Sequence, residues 1–498
     1  MNRILCRLGW VALLVLAMVP DLSAHIGMPF VVLEGKAGRY PVRVVVQQPE
    51  VVPGLAHIGV RVLEGTPKSV SVLPLHWDTD RSGAPRPDPA RPVAGEAGLY
   101  EGELWFMGSG AYGVIVQIEG EGGGSLVVPA NSLATVRKAM PVWMAWLLGS
   151  LGVLLGVGWV AIGYSTFRES TVVGAVLGRR WRGALGAGLG LLAAGAAVVG
   201  GSRWWKVEDR AHAAKVRGQT MKLDVRQKAG SLEFVVRGRG EQGPAWDLVP
   251  DHGRLMHAFV IGMGPEPVFL HMHPEEPIEG GAPRSAIGSL PAGEYEVFLD
   301  VTHEMGVVQT LTNRLTVREP VSGGVVTDRD DSWHRGALLP VGQAQPLDGG
   351  RTVRLEVEGR LRALEPVRMV ARFRESDDRP CLLEPYLRMP GHAVVAAADG
   401  SVFTHLHPAG NLSMAAARRF ALRAGGDTAA KDADEVCGDL GALPADVVGQ
   451  LLRRGEVTFP MVFPKAGTYR VWVQARIGGQ IQTAGFLIEV ETSAARPL

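Results

Sequence analysis

The sequence predicts a mainly β protein, built of β-sandwich domains and attached to two transmembrane helices, on three observations. Short alternating apolar runs are divided by turn residues, with 65 glycines and 33 prolines in the chain. Two apolar stretches are long enough to cross a hydrocarbon core. A set of motifs then recurs in the same order near the C-terminus.

Composition narrows the function classes first. The 498 residues suggest about three folded units. A net charge of +1 leaves no basic field that would point to nucleic acid.

The N-terminus has the form of a secretory signal, residues 1–24. Arg3 and Arg7 precede the apolar run Trp10–Val19, and Ser23-Ala24 supplies the small residues for cleavage. Cutting after Ala24 makes His25 the first mature residue; an uncleaved anchor is the alternative. The transmembrane helices are expected at 142–164, with Trp143, Trp146 and Trp159 near its ends, and at 183–201, followed by Trp204-Trp205. The glycines of the second would let it pack closely on the first.

Arg168, Arg179, Arg180 and Arg182 gather in the connection, 165–182, which the positive-inside rule makes cytoplasmic. Both flanking regions then lie in the periplasm, on the outer side of the cytoplasmic membrane. In that compartment Cys381 and Cys437 form either a disulfide or two free thiols.

The first outer domain, 25–137, carries alternating runs at Tyr40–Val46, His57–Val62, Ser69–Leu73, Glu103–Phe106 and Tyr112–Val116. Pro53-Gly54 leads into the His57 strand, and Leu104–Met107 leads to Gly110–Val116 ahead of a membrane span. On these features the domain resembles the small periplasmic immunoglobulin-like domains of the FixH/YtkA type. The sandwiches are accordingly expected to be immunoglobulin-like or cupredoxin-like.

The duplication occupies 207–320 and 351–492, joined by a linker at 321–350. One copy reads His257-Ala-Phe-Val260, Val268-Phe-Leu-His-Met-His-Pro274 and Leu290-Pro-Ala-Gly-Glu-Tyr-Glu-Val-Phe-Leu299. The other reads His392-Ala-Val-Val395, Val402-Phe-Thr-His-Leu-His-Pro408 and Phe463-Pro-Lys-Ala-Gly-Thr-Tyr-Arg-Val-Trp-Val473. An insertion at 411–455 separates the last two motifs of the second copy. The region resembles duplicated histidine-rich modules of membrane-anchored bacterial proteins associated with metal resistance.

On a strand, His271 and His273 project from one face, and so do His405 and His407. His257 or His392, on a neighbouring strand, would bring a third imidazole to each pair. Three imidazoles suit copper or zinc, so one ion is expected in each copy. Further ligands are offered by His303, Met305, Met389 and Met414, and methionine favours copper. Histidines that only hydrogen-bond within a core are the alternative.

His25 offers an amine and an imidazole to one metal, a brace completed by His57 or His76; a flexible, unliganded terminus is the alternative. The arrangement resembles that of CopC-like copper carriers and lytic polysaccharide monooxygenases. No nucleophile elbow, phosphate loop or His-Glu-x-x-His helix is present.

The sequence thus leads to a copper-binding or copper-delivering periplasmic protein whose partners are a metal ion, the cytoplasmic membrane, and an oxidase or metal transporter in it. A non-metallic receptor or assembly module, and a copper-dependent oxidase using His25, are the alternatives.

Overall fold

The computed structural model describes residues 28–132, 140–169, 180–219, 221–228, 230–237, 248–264, 267–277, 280–326, 328–425 and 445–493. The signal segment, His25 and Cys437 lie outside the described residues. The chain is mainly β, and it divides into two units.

The smaller unit, 137–221, holds two helices long and apolar enough to cross a membrane: α1 (Val142–Arg168) and α2 (Arg180–Gln219). Both run beyond the expected spans. The apolar part of α2 ends by Glu208, and the helix continues through a polar stretch. Glycine sets their contact: a Cβ on Gly163 would strike the Gly186 carbonyl, and one on Gly186 would strike that of Gly163. Small residues there let the two backbones approach.

The larger unit comprises 1–136 and 222–498. Within it, the first sandwich and both repeats pack together, where the sequence suggested separate units. The first sandwich has eight strands in two layers linked through Asp88–Pro92. Val42, Val44 and Val60 from one layer meet Val72, Val114 and Val116 from the other, which is the alternation read from the sequence.

Each repeat presents three homologous strands in its main sheet. In the first they are β1 (Met256–Gly262), β2 (Val268–Met272) and β3 (Gly293–His303). In the second they are β4 (His392–Ala397), β5 (Phe403–Leu406) and β6 (Gly467–Ile477). The lone-histidine strand is central in both, pairing β2 and β3 in the first repeat, and β5 and β6 in the second.

The two sheets face one another. One side of β4 and β6 supplies Ala393, Val395, Tyr469, Val471 and Val473 to the second repeat's own core. The other side, Val394, Ala396, Phe403 and Trp472, packs on Phe259, Ile261, Phe269 and Phe298 of the first repeat. Phe269 stacks on Trp472 with centroids 4.8 Å apart, and Phe403 on Phe298 at 4.0 Å. Phe269 is the counterpart of Phe403 in the duplication, and Phe298 of Trp472, so each copy exchanges the same pair of rings with the other about a pseudo-two-fold axis.

The insertion after β5 begins by docking on the first sandwich. The Asn411 side chain takes the Val32 N–H at 2.7 Å and donates to the Phe30 carbonyl at 2.8 Å, and Glu34 N–H donates to the Ala409 carbonyl. Helix α3 (Met414–Ala424) follows, capped by Ser413. Its Phe420 is fully buried against Ala111 and Val307. The insertion ends in α4 (Ala445–Arg453). Cys381 is buried, and burial pushes its thiol up to about 12.

Candidate metal centre

The histidines occupy one end of the interface between the repeats, and the stacked aromatics continue it. Alternation along the strands makes this arrangement. On β1, His257 shares a face with Phe259 and Ile261; on β4, His392 shares one with Val394 and Ala396. His271 and His405 lie two residues beyond Phe269 and Phe403, with His273 and His407 following.

The six predicted histidines therefore do not lie in two separate places, one buried inside each copy. They converge in one buried centre between the copies, because the faces that carry them are the faces that pack together. A seventh, His252, joins them. Among the described residues, two groups offer nitrogens within 4.8 Å of one another: His257, His271 and His273, and His252, His392 and His407. The first is the expected triad. In the second, His252 takes the place expected for His405, which lies between the groups, with its ring 5.3 Å from His257 and 4.6 Å from His407.

Hydrogen bonds fix which ring nitrogens face inward. His257 Nε2 donates to the Asp251 carbonyl at 3.1 Å, leaving a lone pair on Nδ1. His271 Nδ1 donates to Gln474 Oε1 at 3.0 Å, with the Tyr386 hydroxyl oxygen also 3.1 Å away. The Tyr386 hydroxyl itself donates to the Asp330 carbonyl, and the Gln474 amide donates to Ser332 and Thr483. With the Gln474 oxygen turned to His271 and the Tyr386 proton on Asp330, the lone pair of His271 is assigned to Nε2. It lies 3.3 Å from His257 Nδ1, and with these tautomers assigned two acceptors face each other. Two nitrogens bound to one tetrahedral ion at about 2.0 Å would stand about 3.3 Å apart.

The remaining imidazoles are anchored in the same manner. His273 Nδ1 donates to Asp331 at 2.9 Å, and His407 Nδ1 to the Leu412 carbonyl at 2.9 Å. Carboxylate and carbonyl partners of this type orient metal-binding imidazoles. His252 Nε2 lies 3.1 Å from His407 Nε2. Buried nitrogens without a protein partner remain at His252 Nδ1, His273 Nε2, His405 Nε2 and both positions of His392. Each such buried group costs about 1–3 kcal/mol.

Burial holds all seven imidazoles below the ordinary histidine range, His257 to about 4 and His252 to about 3. They are neutral at pH 7, which is the form that binds a metal. Burial pushes the carboxyls of Asp300 and Asp331 the other way, to about 7. A cavity of about 40 Å³ reaches the centre beside His257, His405, His407 and Asp300.

His57, His76 and His303 belong to neither three-histidine group. His57 pairs with Glu103 at the surface of the first sandwich, and His76 stacks edge-on against Tyr112. His303 meets Gln309 at 3.4 Å, and Met305 is 42% exposed in the following turn. Met389 is buried and closes the turn that begins at Tyr386, while Met414 begins α3.

His252 escaped the sequence reading because it is on a turn, at φ 54°, and not on a strand. The signal was in the duplication: Asp251 and Tyr386 each open a bridged turn six residues before the lone histidine. Aligning those turns brings His252, Asp251 and Tyr386 into view together. Gln474 is similarly the counterpart of Asp300, opposite His392 and His257 respectively.

A family model described as a domain of unknown function (DUF8832) matches residues 213–319 and 345–492, just over half of the chain. The chain belongs to this family. The DUF8832 match takes in both repeats and all seven histidines of the centre. No curated protein matches the chain.

Similar solved structures include a chicken interferon gamma receptor alpha chain, at 7% identity and a TM-score of 0.14, covering 54% of this chain and 98% of that one. The D00-D0 domain of intimin is 8% identical at a TM-score of 0.13, covering 54% and 99%. An Escherichia coli alpha-2-macroglobulin activated by porcine elastase is 9% identical at a TM-score of 0.17, covering 93% of this chain and 44% of its own length.

Proposed function

We propose that this is a membrane-anchored periplasmic protein that binds copper, or zinc, in the buried histidine centre between its repeats. The observation that carries this reading is the facing of His257 Nδ1 and His271 Nε2 at 3.3 Å, both lone-pair nitrogens once their other hydrogen bonds are assigned. A cation between them turns a repulsive contact into two bonds. A cation would likewise give a partner to the orphaned nitrogens of His273 and His405 and to one of the two on His392.

Neutral imidazole suits both metals, and divalent copper binds such nitrogen sites more strongly than zinc. Burial of the ligands favours retention over rapid exchange, consistent with storage, delivery to an oxidase or transporter, or a resident cofactor. The periplasmic assignment draws on the arginines between the two apolar helices.

Metal content tests the reading directly. Full-length protein purified in detergent should retain copper or zinc through dialysis, and a His257→Ala/His271→Ala variant should lose it while still showing a cooperative melt. Wild-type protein that binds neither metal would return the histidines to a purely structural role and favour a receptor or assembly module.

A further inference from the structure

Seven imidazoles are more than the four ligands of one copper or zinc ion, and they are not disposed as a single shell. The two three-histidine groups share no residue. They do share a compartment: His405 has its ring 5.3 Å and 5.4 Å from His257 and His271 of one group, and 5.3 Å and 4.6 Å from His392 and His407 of the other. Its Nε2 is buried without a partner.

The small cavity supplies the second observation. It touches His257 of one group, His407 of the other, and His405 between them. Its volume, about 40 Å³, fits one water or a small anion. A ligand in it has imidazoles of both groups for neighbours. Asp300 and Thr302 line the same cavity.

We propose that the centre holds two ions, one at each three-histidine group, as one coupled pair bridged by a small anion admitted through this cavity. Resting on the metal-binding reading above, it replaces two independent sites by a single binuclear one. In plain buffer the bridge is hydroxide: a water enters, its proton passes to solvent, and its oxygen binds both ions without a redox step. Two-metal sites of this kind hold their ions about 3.5–4 Å apart.

Copper(II) is a suitable probe because its unpaired spin reports a neighbour. Metal-free full-length protein would be titrated with copper(II) chloride, with bound copper counted by elemental analysis and spins by electron paramagnetic resonance. Two coppers per chain with a spin count well below two, and an absorption change on adding azide, are expected. His257→Ala should bind one copper that gives the full signal of an isolated ion. Two coppers with two full, isolated signals would overturn the pair and leave the metal-binding reading intact, as would saturation at one copper. Binding of none would overturn the metal-binding reading itself. If the variant fails to fold, the wild-type spin count decides.

Discussion

Gln474 of the second repeat holds His271 of the first, its Oε1 accepting the Nδ1 proton at 3.0 Å. The related contact, Asp300 of the first repeat toward His405 of the second, is longer, at 3.9 Å. Each copy thus places a polar side chain toward an imidazole of the other, and only the Gln474 contact is a hydrogen bond. Replacing Gln474 with Ala should lower metal affinity by about 10–100-fold, the usual cost of losing a partner that orients a ligand. Competition titration against a chelator of known affinity would measure it. An unchanged affinity would show that the anchor is dispensable.

The metal-free protein should lose stability as the pH falls below about 6.5. Unfolded histidines take up protons near that pH, whereas His257 and His252 resist until about 4 and 3. The unfolded state therefore binds more protons across this window, and acid favours it. Asp300 and Asp331 act in the opposite sense, since their raised carboxyls cost stability as the pH rises through about 7. Seven histidines outweigh two acids, so the urea midpoint should fall from pH 7 to pH 5. A flat or rising midpoint would contradict the buried neutral assignment.

The exchanged aromatic pairs should be coupled energetically. Phe298→Ala and Phe403→Ala should each cost about 3–5 kcal/mol, because both rings are buried. Their double-mutant cycle should return a coupling of about 0.5–1.5 kcal/mol from the stack. Additive effects in equilibrium unfolding would mean that the rings do not support each other.

Gly410→Ala should loosen the first sandwich from the second repeat. Gly410 has φ 148°, and a Cβ there would strike the Val32 carbonyl. His407 and Gly410 also bridge each other, so the strain passes directly to a centre histidine. Faster proteolysis between the sandwiches and weaker metal retention are expected. Wild-type behaviour in both assays would remove this link.

Topology is accessible to reporter fusions. One fused after Arg180 should be active only in the cytoplasm, and one at the C-terminus only outside it. Activity of the C-terminal fusion in the cytoplasm would mean a single crossing and would place the histidine centre in a reducing compartment.

Much of the site was legible because strand periodicity is a local property. The spacing of His271 and His273 placed both imidazoles on one face, and the His-Ala-x-Val segments were correctly read as neighbouring strands. That the two copies face each other was not legible. β1 and β4 are buried on both faces, so alternation could not say which partner covers each. Asp331 escaped for a different reason: it reaches His273 from 58 residues away, in a connection that has no counterpart pattern in the other copy. The apolar stretches were plain in the sequence, but the extension of α2 through polar residues to Gln219 was not.

The reciprocal contacts carry an evolutionary consequence. An ancestor with one copy could have assembled this constellation only by pairing with itself about a two-fold axis, as isologous homodimers do. Fusion of two copies makes that encounter intramolecular, so assembly no longer depends on protein concentration. It also releases the halves from identity. Gln474 can differ from Asp300, and Tyr386 from Asp251, which a symmetric pair of identical chains could never allow. The residues that anchor one half of the histidine centre can thereby change without changing those of the other.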